Sequence, residues 1–112
     1  MAGTIKRTFG PVALTTTLTT NVYNNTSALI YDVIRHIHIA NKTASAATFT
    51  LYLGATGANA AGTELWLGQS IAANSEFNWY GLLKMTSTDF LVGGSGTATA
   101  LTIVGMGDQY VS

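Results

Sequence analysis

Apolar and polar residues alternate along most of this 112-residue chain, and the alternation has the two-residue period of β-strands. The clearest run is Leu29 to Ala40. Odd positions carry Leu29, Tyr31, Val33, Ile37 and Ile39, and even positions carry Ile30, Asp32, Ile34, His36 and His38. One face is therefore expected to be apolar, with Arg35 as its exception, and the other mixed. The abundance of Ile and Val supports a central strand. Arg35 needs an edge, a partner or a route by which its stem lies on apolar surface and its head reaches water.

The same rhythm predicts further strands. Thr48 to Gly54 sets Phe49, Leu51 and Leu53 against Thr48, Thr50 and Tyr52. Glu64 to Ile71 groups Leu65, Leu67 and Ile71, which turns Trp66 to the opposite side. Glu76 to Leu83 sets Phe77 and Trp79 against Tyr80 and Leu82. Phe90 to Val92 is short, and Ala98 to Met106 sets Leu101 and Ile103 against Thr102 and Val104. Val12 to Leu18 and Val22 to Tyr23 are weaker strands. Turn residues separate them: Asn41 to Ser45, the small-residue loop Gly54 to Gly62, Ala72 to Ser75, and Gly93-Gly94-Ser95-Gly96. No segment has the period of an amphipathic helix. Seven or eight short antiparallel strands with turns between them predict an all-β, single-domain β-sandwich or jelly-roll. The Gly54 to Gly62 loop is the best placed to touch another molecule.

Residues 1 to 27 differ from residues 28 to 112, which are expected to form the sandwich proper. The first stretch holds Lys6, Arg7, the sole proline, Pro11, and a Thr-rich run from Thr15 to Thr20. It reads as an ordinary edge strand or as an arm that adds a strand to a neighbouring subunit. On the second reading Lys6, Arg7 and Phe9 are candidate interface residues.

Charge is the composition's most informative feature. Only 9% of residues are Asp, Glu, Lys or Arg, and five of each sign cancel; ordinary soluble domains carry about 25%. No electrostatic case exists for nucleic acid or an anionic membrane. A neutral, charge-poor surface favours association, so the chain is expected to work within an assembly. With 47% apolar residues it is too hydrophobic for disorder. The absence of cysteine excludes disulfides, a thiol nucleophile and thiolate metal sites. No apolar run of signal-peptide or membrane-spanning length is present, which leads us to expect a cytoplasmic protein until assembly.

Few residues could carry chemistry. His36 and His38 share a strand face about 7 Å apart and are a weak candidate pair for a metal, lacking an obvious third ligand. Two histidines packed on a mixed face are the plainer interpretation. The acidic residues are scattered, no Gly-x-Ser-x-Gly elbow occurs, and the glycine cluster at 93–96 lacks the lysine of a phosphate loop. No enzyme activity, cofactor or small-molecule substrate is expected. Trp66, Trp79, Tyr80 and Tyr52 could instead form an aromatic platform for sugar rings or a partner, with Trp66 and Tyr52 as interface candidates.

Two strings in the chain are distinctive: Arg35-His36-Ile37-His38-Ile39-Ala40-Asn41, and Ala46-Ala47-Thr48-Phe49-Thr50-Leu51-Tyr52-Leu53-Gly54. With Ala61 to Leu65, Ile71 to Asn74, Trp79-Tyr80 and the opening Phe9-Gly10-Pro11, they resemble small β-sandwich virion proteins of tailed bacteriophages. The resemblance runs through most of residues 5 to 104. It implies a non-enzymatic structural subunit of the virion, assembled in the host cytoplasm. The types it suggests are a head decoration (cement) protein, a head-fibre base or a minor tail component. Compact size favours the decoration role. The implied partners are further copies of the chain, as a homotrimer, and the major capsid protein. A host-glycan-binding module of a tail or fibre is the alternative.

Overall fold

In the computed structural model the described residues are 3–18, 20–25, 27–54, 63–97 and 99–111. Eight strands follow one another with no helix among the described residues: β1 (Thr4–Ala13), β2 (Asn21–Asn24), β3 (Ile30–Asn41), β4 (Ala47–Gly54), β5 (Glu64–Ile71), β6 (Glu76–Met85), β7 (Phe90–Ser95) and β8 (Leu101–Val111). They form two four-stranded antiparallel sheets, β1-β8-β3-β6 and β2-β7-β4-β5. Strand pairs 1·8, 2·7, 3·6 and 4·5 are all present, as if one long hairpin had been rolled up. That order is the eight-stranded jelly roll, the second of the two all-β forms the pattern allowed. Principal extents of 45 × 27 × 18 Å match two stacked sheets, which pack about 10 Å apart.

The core lies between the sheets. Ile34, Ile37, Ile39, Leu101 and Ile103 come from one sheet and Phe49, Leu51 and Leu91 from the other, all essentially inaccessible. Burying each such side chain stabilises the fold by about 1.5–3 kcal/mol relative to exposure. Tyr23 of β2 also bridges the layers, donating its hydroxyl to Asp32 Oδ2 at 2.6 Å, while Gln109 Nε2 donates to Asp32 Oδ1 at 3.1 Å. Asp32 is therefore fully buried but hydrogen-bonded through both oxygens, as a buried carboxylate requires.

β3 does not keep one apolar face. Asp32 and Ile34 point inward, and then Ile37, Ile39 and Asn41 do. The face changes at a register shift between Ile34 and His36, where β3 has one residue more than β8 opposite it. This β-bulge absorbs Arg35, which sits outside and pairs with Asp108 of β8. Strict alternation would have put the guanidinium in the core.

Three boundaries also depart from the sequence pattern. The first strand covers Thr4–Ala13 and not 12–18, because β1 pairs with β8. Leu14 N still donates to Leu101 O of β8, and Thr15 and Thr20 then lie beside β7, with Ser95 N donating to Thr15 O and Gly93 N to Thr20 O. Within the stretch 1–27, β1 supplies an edge strand to one sheet and β2 an edge strand to the other. Gly93, Gly94 and Ser95 are buried strand residues rather than a turn; a side chain on Gly93 or Gly94 would collide with the carbonyls of Thr50 or Thr15. Finally, β8 continues through Gly105 and Gly107 to Val111, paired with β3 as far as Ile30, and Gly105 leaves room for the Phe9 ring, which a Cβ there would overlap.

Candidate interaction surface

The outward side of sheet β1-β8-β3-β6 collects the polar candidates. Ladder register aligns Arg7, Met106, His36 and Tyr80 in one row across four strands, and Val104, His38 and Asn78 in the next. A four-strand row spans about 14 Å. His36 stacks on Tyr80, with ring centroids 4.5 Å apart and planes 8° from parallel. Asn78 Oδ1 lies 2.8 Å from both His36 Nε2 and His38 Nδ1. One amide oxygen has two lone pairs, so both ring nitrogens act as donors to it. His38 Nε2 also lies 3.6 Å from Glu76 Oε2.

This arrangement decides what the two histidines can do. Their inner nitrogens are turned on Asn78 rather than on a shared open point, and their rings stand edge to face with centroids 6.1 Å apart. Among the described residues, no three His, Asp, Glu or Cys side chains converge in a geometry suited to a metal ion. The set is built to hold rings flat on a sheet surface and to offer hydrogen bonds. Beside it lies a shallow depression of about 400 Å³ lined by Ile5, Arg35, His36, Met106 and Asp108. Arg35 Nε donates to Asp108 Oδ2, and this carboxylate raises the pKa of the guanidinium.

The other candidates fall elsewhere. Lys6, half-buried, and Arg7, exposed, lie on opposite faces of the edge strand β1. Phe9, expected at an interface, is a core residue: it is 7% exposed and stacks on Tyr23 at 5.6 Å. Tyr52 is likewise buried, opposite Val92 and Glu64 in the ladder. Trp66 does face away from Leu65 and Leu67, but that side is the interior. Its ring lies 5.7 Å from Phe77 and 5.8 Å from Trp79. Leu65 and Leu67 are the outward residues, Leu67 with 64% of its surface exposed.

The reversal comes from Gly68. Its φ of 59° and a register shift mark a bulge that lets Trp66 and Ile71 both point inward although they are five residues apart. Gly68 N donates to Thr50 Oγ1 at 2.9 Å, pinning the bulge to β4. The glycine itself was the available sequence signal, since an isolated Gly inside a strand pattern suggests a bulge. The expected contact loop, Gly54 to Gly62, lies outside the described residues beyond Gly54 itself. The Lys6, Arg7, Phe9, Tyr52 and Trp66 set therefore forms no single patch. Exposed apolar residues outside that candidate set include Ile5, Leu29, Leu67 and Leu82; of these, the sequence pattern sets Leu82 alone on the side opposite Phe77 and Trp79.

In comparisons with known proteins, no family model matches the chain and no curated protein matches it closely enough to count as a relative.

Proposed function

We propose that this chain is a non-enzymatic structural subunit of a bacteriophage particle, a head decoration protein that binds and stabilises the capsid shell in many copies. The observation that carries this reading is the apolar exterior of a charge-poor jelly roll. Ile5, Tyr80 and Leu82 project from one sheet and Leu67 from the other, each at least 64% exposed, in a chain with 9% charged residues. Large apolar side chains on both outer faces suit a subunit that contacts neighbours on more than one side. The jelly roll adds analogy only, since viral capsid proteins share this architecture with lectins and cupins. The resemblance to small virion proteins supplies the particle, the homotrimer and the major capsid protein as partner.

The test is peptide mass spectrometry on density-banded particles of the phage that encodes the chain. The expected result is the chain at a copy number comparable to the major capsid protein. Its absence from particles would end the proposal, and its recovery at a few copies per particle would move it to the tail.

A second reading, a glycan-binding module of a tail or fibre, is favoured by the exposed Tyr80 ring supported on His36. Sugar rings stack on such faces. Calorimetric titration with host surface polysaccharide should then show binding that Tyr80→Ala abolishes, and the decoration reading expects no heat.

A further inference from the structure

We propose that two copies of this chain pair edge to edge through β6, antiparallel, about a two-fold axis at Tyr80. β6 ends its sheet, so along ten residues one rim of its backbone faces no other strand among the described residues. Such a rim presents N–H and C=O groups ready to pair with another strand. β6 has no proline, and its faces alternate throughout: Phe77, Trp79, Leu83 and Met85 inward, and Glu76, Asn78, Tyr80, Leu82 and Lys84 outward. Its pairing with β3 slips between Tyr80 and Leu83 without disturbing that alternation.

The outward residues are self-complementary about Tyr80. Antiparallel pairing centred there sets Glu76 opposite Lys84 of the second copy, twice by symmetry. Asn78 meets Leu82, and Tyr80, 71% exposed, meets its own equivalent. These are the only charged residues of β6, and they are of opposite sign. Centring the axis one residue either way separates them. Parallel in-register pairing would set Glu76 on Glu76 and Lys84 on Lys84. Both charges are available: Lys84 lies over the Tyr31 ring at 4.7 Å with no carboxylate partner among the described residues, and Glu76 has only the 3.6 Å approach of His38. A two-fold contact of this kind is isologous, so every favourable pair occurs twice.

This pairing concerns the purified chain alone and departs from the homotrimer that the resemblance implies, so the oligomeric state in solution separates the two, and a dimer leaves the particle reading to its own test. Light scattering and sedimentation of the full chain should give a dimer. Lys84→Glu and Glu76→Lys each turn two attractive cross-strand pairs into repulsive ones and should weaken dimerisation at least about tenfold. The double variant Glu76→Lys/Lys84→Glu restores opposite charges and should return the affinity to within about threefold of the parent. As a second readout, Tyr80→Cys introduces the sole thiol of a cysteine-free chain. Facing Cα atoms in an antiparallel pair are about 4.5–5.5 Å apart, within disulfide range, so oxidation should give a covalent dimer. A monomer at all concentrations would overturn the proposal. So would a trimer or dimer indifferent to single charge reversals, a double variant that fails to recover, or folded Tyr80→Cys protein that does not cross-link.

Discussion

Trp66 of β5 and Trp79 of β6 meet edge to face, with ring centroids 5.8 Å apart and planes at 76°. Each belongs to the last strand of its own sheet, so the pair closes the open side of the sandwich. Phe77 and Phe49 continue the cluster toward the middle, 5.0 Å apart. Tilted and edge-to-face geometries suit the ring quadrupoles and add about 0.5–1.5 kcal/mol per pair beyond area burial.

Trp66→Ala should therefore destabilise the fold by about 3 kcal/mol, near the lower end for aromatic truncations because the ring is half-buried. Urea denaturation checks this. A loss below about 1 kcal/mol would mean that Trp66 is an exterior residue after all.

The bulge at Gly68 makes a sharper prediction. Nothing lies within 4 Å of a Cβ built there, so the sole penalty on a side chain is its left-handed backbone, at φ 59°. Gly68→Ala should cost about 1–2 kcal/mol, and Gly68→Asn, which tolerates that region, distinctly less. Equal losses in the two variants would show that sterics and not conformation governs the position.

Tyr23 links the sheets through Asp32, and its pKa is raised well above the ordinary value of 10.0, first by burial and then by the hydrogen bond to the carboxylate. A raised folded-state pKa favours the protonated phenol, so its stabilising contribution is complete below pH 10 and declines as pH rises beyond it. Unfolding free energy measured from pH 9 to 11.5 should fall, and Tyr23→Phe should flatten this decline. At neutral pH the same variant leaves Asp32 Oδ2 without that donor and should cost about 1–3 kcal/mol.

Leu67 and Leu82 give the opposite expectation. They are 64% and 68% exposed, so Leu67→Ser and Leu82→Ser should each change stability by no more than about 0.5 kcal/mol. In the decoration reading they should weaken attachment to the particle, which competition with the parent chain for shell sites would measure.

Much of the fold was legible in the chain. Period-two alternation located every strand region except β1, and the pairs Phe49/Leu51, Leu101/Ile103 and Phe77/Trp79 all face inward as alternation required. Less of the candidate surface was legible. The proximity of His36 and His38 followed from spacing, but Asn78, forty residues away along the chain, reaches them only through β6–β3 pairing. Phe9 looked like part of an arm because nothing local records that Gly105 leaves room for its ring.

The sequence by itself determined that this chain makes strands, that they bury one face, and that few charges remain outside to keep copies apart. These follow from composition and near-neighbour spacing, which act within a few residues. Tertiary structure alone decided which face is inside. A single extra residue in a strand inverts everything beyond it, and the bulges at Arg35 and Gly68 are set by the register of strands distant in the chain. Trp66 is inside and Leu67 outside for that reason.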